Sequence, residues 1–169
     1  KKEKIKNLEK LAEVEKELSS LNQTYKEFIL NQGKFLNSDI LISKKNFGCG
    51  SSREHAVWSL MDFGFKVVIA ESFADIFYNN CFNNGLLPIS LSSEKITNLL
   101  NLAEERKEIE IDLHNQIIYS EDNEIANFEI DPFRKKCILD GLDEIGLSLT
   151  HATDIKEFEK KKEVESPWI

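Results

Sequence analysis

A chain of 169 residues and 19.5 kDa, 41% hydrophobic and 31% charged, has material for one domain with a real core and too little for a second of similar size. Its net charge of -8 and pI of about 5.0 argue against a nucleic-acid partner, because phosphate binding needs clustered cations. No apolar run nears the ~18 residues of a membrane span, and the opening KKEKIKNLEK lacks the apolar centre of a signal peptide, so the expectation is a cytoplasmic protein with no membrane partner.

Residues 1–28 have a texture of their own. Leu11, Val14, Leu18, Leu21, Tyr25 and Phe28 recur at spacings of three and four with Lys and Glu between them, which predicts one apolar seam along an amphipathic helix. The 7 lysines and 6 glutamates of residues 1–27 nearly cancel, which favours an arm that packs on protein over a membrane-surface helix. The remainder, 29–169, reads as a single domain.

From Phe35 the period changes. Residues 39–43 (DILIS) and 66–70 (KVVIA) read as strands, with a loop over 46–52 and a helix over 53–62 between them. A short helix over 72–80, a turn through the asparagines to Gly85 and a strand over 86–91 follow; Pro88 assigns that strand to an edge or a bulge. Ser93 is expected to cap a helix reaching Glu105. Residues 108–113 and 116–120 alternate as a hairpin around His114-Asn115, residues 125–130 add a strand, and Pro132 opens a helix that stops near Gly141. A last helix covers roughly 153–162. The fold class is therefore α/β, with mixed parallel and antiparallel strands behind an amphipathic N-terminal helix.

Chemistry concentrates in Asn46–Ala56, NFGCGSSREHA. Gly48 and Gly50 permit a sharp turn and close approach to a ligand, and the first amides of the following helix carry partial positive charge. Ser51 and Ser52 add hydroxyls. Arg53, one of only three arginines among 22 basic residues, adds a planar donor fork suited to a carboxylate. The set fits a small di- or tricarboxylate better than a nucleotide; it lacks the lysine and spacing of a P-loop and the flanking of a G-x-S-x-G elbow. Spacing alone serves an ordinary helix-capping turn equally well. His55 reads as structural, Cys49 as a small packed residue in preference to a reactive thiol, and Asn79, Asn80, Asn83 and Asn84 as turn formers in preference to a pocket wall. Cys49, Cys81 and Cys137 are too scattered for a disulfide framework or a metal motif, so no cofactor or metal is expected on this chain.

Three stretches resemble a known family: NFGCGSSREHA, FGFKVVIAESFADIFYNNCFNNGLLPI and FEIDPFRKKCILDGLDEIGLSLTHATDI closely resemble the small subunits of bacterial 3-isopropylmalate dehydratases, of the aconitase superfamily. The resemblance runs from about Phe28 to the closing Pro167-Trp168-Ile169. It implies a swivelling β/β/α domain that lids a separate large subunit carrying a 4Fe-4S cluster, in a heterodimer or heterotetramer. It implies an isomerisation of 2-isopropylmalate and 3-isopropylmalate through 2-isopropylmaleate, in leucine biosynthesis, active only with the large subunit. By position in the motif, Ser51 is the implied catalytic base, and Gly50, Ser52 and Arg53 the implied substrate-binding residues. Dehydrating a hydroxy acid needs a Lewis acid on the hydroxyl, supplied by the partner, and a base for a weakly acidic C–H. The chain departs from the family pattern at Val57, where proline is common, and at its start, where a DTD-x-IIP-like strand and a substrate-recognition loop give way to the charged helix. Two other readings follow: a homoaconitate or other alkylmalate hydro-lyase small subunit, and a catalytically silent assembly subunit.

Overall fold

A computed structural model describes residues 16–21, 23, 24, 28, 30, 35, 37–166 and 168. The chain divides into two compact units, Lys1–Ser38 and Asp39–Ile169. In the first, residues 16–21, 23 and 24 are helical and residue 28 stands in a bend. Phe28 N donates to Thr24 O at 3.0 Å. Of the expected seam, Leu18, Leu21 and Phe28 are exposed; Leu11, Val14 and Tyr25 lie outside the described residues.

The second unit opens with β1 (Ile40–Ile42), α1 (His55–Phe63), β2 (Val67–Ala70), α2 (Asp75–Asn84) and β3 (Leu87–Ser90). The three strands form a parallel sheet in the order β1-β2-β3, with Ile40 opposite Val67 and Val67 opposite Leu87. Central β2 is buried at Val68, Ile69 and Ala70, as expected for a strand covered on both faces, and this is why its sequence is an unbroken apolar run. Pro88 lies on the edge strand β3, where its missing N–H leaves no central ladder bond unmade.

Next come α3 (Ser93–Glu104) and an antiparallel sheet of β4 (Glu110–Asp112), β5 (Ile117–Ser120) and β6 (Asn123–Asn127), in that order. Asp112 accepts from Asn115 N at 2.9 Å and from Asn115 Nδ2 at 2.6 Å; these bonds close the β4–β5 turn and hold the carboxyl below its ordinary range. Ile69, Leu87 and Ile89 of the parallel sheet share one buried cluster with Ile96 and Leu99 of α3 and with Ile118, Ala126 and Phe128. Each fully buried aliphatic side chain there is worth about 1.5–3 kcal/mol. By strand alternation Val68 faces the other side of the sheet, where α1 and α2 bury Val57, Phe77 and Cys81. A helical layer thus covers one face of the parallel sheet, and α3 with the second sheet covers the other.

The last part holds α4 (Pro132–Asp140), α5 (Glu144–Thr150) and α6 (Ala152–Glu165). Asp131 caps α4 by accepting from Phe133 N and Arg134 N, with Pro132 in the first turn, and Asp143 caps α5 by accepting from Gly146 N at 2.6 Å.

Several expectations are corrected. The asparagine stretch is not a turn: α2 runs through Asn79, Asn80, Asn83 and Asn84 to a left-handed Gly85. Phe77, Cys81 and Phe82 bury one face of that helix, and their burial outweighs asparagine's weak helix propensity. Ser92, not Ser93, holds the N-cap position of α3. The strand expected over 125–130 begins at Asn123, because Glu121 (φ 49°) and Asp122 (φ 64°) make a two-residue left-handed turn directly out of β5. Helix α5 was not anticipated at all; Gly146 and Thr150 had masked it.

Candidate active site

The stretch Asn46–Glu54 connects β1 to α1 and is built from its first residue onto the segment that follows β2. Asn46 N donates to Ser72 Oγ at 2.9 Å, Phe47 N to Ser72 O at 2.9 Å, and Ala74 N returns to Phe47 O at 2.9 Å. The Phe47 ring meets Phe77 edge-on at 5.3 Å, and Phe73 and Phe77 lie parallel at 6.3 Å. Gly48, at φ 79°, passes so close over Phe77 that a Cβ there would stand 2.2 Å from the ring's Cγ. Here the glycine is required twice, by its backbone angle and by the absence of space. Gly50 differs: its φ lies outside the left-handed region and nothing approaches an added Cβ within 4 Å, so its openness faces away from the protein.

Ser51, Ser52, Arg53 and Glu54 follow, all exposed. The helix proper starts at His55, and Glu54 occupies the N-cap position without a side-chain cap bond. Neither serine is therefore the N-cap. Ser51 Oγ instead accepts from Arg53 N at 3.2 Å, a local turn in the residues that directly precede the N-terminal mouth of α1. The hydrogen bond donated to Ser51 Oγ by the Arg53 amide and the positive end of the helix each favour negative charge at that oxygen. Chemically the mouth can hold an anion and stabilise an alkoxide.

The far side of this mouth is tied down by α2. Trp58 Nε1 donates to Asn84 Oδ1 at 2.7 Å, Asn84 Nδ2 donates to Asn80 O at 2.8 Å, and the same Nδ2 lies 3.5 Å from Glu54 Oε1. His55 leans on Trp58, ring centroids 4.6 Å apart. These contacts are not legible in the sequence: Ser72, Phe77 and Asn84 fall in a family-like stretch but no local pattern pairs them with the loop, and Trp58 lies outside all three such stretches. The four asparagines divide their work. Asn79 Oδ1 accepts from Arg134 Nη2 at 2.8 Å while the guanidinium lies 4.7 Å from the Phe82 ring centroid. Asn79 and Asn83 also border a cavity of about 370 Å³ between α2, α4 and α5, away from the Ser51 loop.

Cys49 is exposed, contrary to its expected packing, whereas Cys81 and Cys137 are buried. Burial pushes the Cys81 thiol up to about 12, which keeps it protonated and poor as a metal ligand. Among the described residues no group of three or more His, Cys, Asp or Glu side chains converges as metal donors. The described residues do not fit a 4Fe-4S cluster. No helix among them is long and apolar enough to cross a membrane.

Fold and loop together define a class. A family model for the aconitase C-terminal domain matches residues 2–94, crossing the stretch that composition set apart as a helical arm. A second, for the C-terminal domain of the 3-isopropylmalate dehydratase small subunit, matches residues 144–169, including α5 and α6. Relatives named 3-isopropylmalate dehydratase small subunit include one from Dechloromonas aromatica, 51% identical over 84% of this chain and 68% of its own length. Another, from Pelagibacter ubique, is 54% identical over 85% and 70%. A crystal structure of 3-isopropylmalate dehydratase from Methanocaldococcus jannaschii superimposes with a TM-score of 0.50 at 31% identity, covering 75% of this chain and 70% of that one. The chain belongs to the family of 3-isopropylmalate dehydratase small subunits.

Proposed function

We propose that the chain is the small subunit of a hydro-lyase that interconverts 2-isopropylmalate and 3-isopropylmalate through 2-isopropylmaleate, in the cytoplasm, together with a large subunit in a heterodimer or heterotetramer. The observation that carries the reading is the joint exposure of Ser51, Ser52 and Arg53 at the mouth of α1, in a chain about half identical to small subunits of that name. The match of a small-subunit-specific model at residues 144–169 favours isopropylmalate over homoaconitate. The 4Fe-4S cluster belongs, in this reading, to the large subunit.

In this reading Arg53 and Ser52 hold a substrate carboxylate, with Gly50 leaving room for it. Ser51 removes the proton from the carbon beside a carboxylate. A serine is a feeble base at its ordinary pKa, so the alkoxide depends on the Arg53 amide 3.2 Å from Oγ, on the helix end and on the guanidinium, in a site closed to water by the partner. The arm of residues 1–28 takes no part in the chemistry.

Ser51→Ala tests the assignment. The variant is expected to fold, pair and bind substrate, and to lose turnover by the ~10²- to 10⁴-fold typical of a removed general base. Turnover and melting temperature are read on the same reconstituted complex. A destabilised but fully active variant would show that Ser51 serves only the local turn.

A further inference from the structure

We propose that Asn84 is a positioning residue for the reaction: through Trp58 and Glu54 it sets the first turn of α1, and with it the placement of Ser52 and Arg53. The inference rests on the functional reading above and concerns a residue 30 positions beyond Glu54.

The side-chain amide has one orientation available. Indole Nε1 can only donate and the Asn80 carbonyl can only accept, so Oδ1 must face Trp58 at 2.7 Å and Nδ2 must face Asn80 O at 2.8 Å. The second amide hydrogen is then left on the side of Glu54 Oε1, 3.5 Å away. Asn84 is the last residue of α2, Glu54 the residue before α1, and Trp58 one turn inside it. One amide thus spans the two helices where the loop ends. The beginning of the loop is fixed by the same helix, since Phe77 lies under Gly48. Helix α2 therefore braces both ends of the Gly48–Glu54 stretch, near its start by a steric contact and at its end by Asn84. Between the two braces Ser51, Ser52 and Arg53 are exposed.

The consequence is a defect in binding geometry. Loss of a neutral hydrogen bond corresponds to roughly a 2- to 13-fold change. Asn84→Ala is expected to raise KM for 3-isopropylmalate by that factor in the assembled complex, with kcat changed less. Trp58→Phe keeps an aromatic side chain but replaces the indole by a smaller ring with no N–H; it should reproduce the shift, and the double variant should be no worse than the poorer single one, because both remove the same bond. Hydrogen–deuterium exchange on the free full-length chain supplies a readout that needs no activity. Peptides covering residues 51–58 should exchange faster in both variants, while those covering β3 and α3 stay unchanged. If the wild-type complex turns over no isopropylmalate but exchange rises at 51–58, the functional reading fails and the brace stands. Additive KM effects, or an unchanged KM with unchanged exchange at 51–58, overturn the brace. A lowered melting temperature with a wild-type KM per assembled complex reduces Asn84 to a packing residue and overturns it equally.

Discussion

Replacing Gly48 by alanine tests whether the loop is held by steric contact. The added Cβ would lie 2.2 Å from Cγ, 2.5 Å from Cβ and 2.7 Å from Cδ1 of Phe77, distances that real side chains do not tolerate. Phe77 is buried at 2% exposure beneath Phe47 and Phe73, so its ring cannot swing into solvent. Two costs add: about 1–2 kcal/mol for an L-residue held at φ 79°, and roughly 1–3 kcal/mol for overpacking a filled interior. The sum, about 2–5 kcal/mol, should lower the melting temperature of the chain by roughly 4–20 °C. Phe77→Ala removes the Cγ and Cδ1 of those contacts and leaves the Cβ at 2.5 Å, so Gly48→Ala should cost less in that background than in the wild type, with the Cβ contact and the backbone strain persisting. Thermal unfolding followed by circular dichroism on the four chains completes the cycle. A Gly48→Ala chain that melts with the wild type would refute the argument, and with it the claim that Phe77 shapes the loop.

Gly50→Ala makes the complementary case: with no neighbour within 4 Å and no left-handed backbone, the melt should move by less than about 1 kcal/mol, so a raised KM in the reconstituted enzyme would report contact with substrate, and a wild-type KM would remove Gly50 from the site. Arg53→Lys keeps the charge and loses the two parallel donors; KM should rise about 10- to 150-fold, the worth of a charge-assisted bond of roughly 1.5–3 kcal/mol, and unchanged steady-state constants would assign Arg53 to structure. Cys81 gives a pH prediction. Its folded thiol, pushed up to about 12 from an ordinary 9.0, holds its proton where the unfolded thiol has lost it, so its contribution is complete below about 9 and drains away as pH rises towards 12, at no more than ~1.4 kcal/mol per unit. Denaturant titrations at pH 8 and 10.5 should show this loss in the wild type and a smaller one in Cys81→Ala; equal slopes would contradict it.

What the sequence by itself determined about this protein is local. Apolar runs such as KVVIA, glycine stops at Gly85 and Gly141, and proline at position 132 are decided within a few residues, and strands β1 to β3, the β4–β5 hairpin and helices α1, α3, α4 and α6 were legible within a few positions. The crowding of Gly48, Gly50, Ser51, Ser52 and Arg53 was legible for the same reason, since a ligand-facing loop before a helix is contiguous in the chain. Tertiary structure decided what depends on distant partners. Asparagines that prefer turns became the end of α2 because Phe77, Cys81 and Phe82 had a core to enter. The two glycines, alike in the sequence, parted company only when Phe77 arrived beneath Gly48 and left Gly50 open. Ser51 was a plausible cap until helix α1 began at His55, leaving its hydroxyl to the Arg53 amide. Asn84 had no visible role until α1 and α2 packed together and brought it to Trp58. Propensity and pattern act between neighbours in the chain; a steric brace or a hydrogen bond across 26 residues exists only after packing has brought its two ends together.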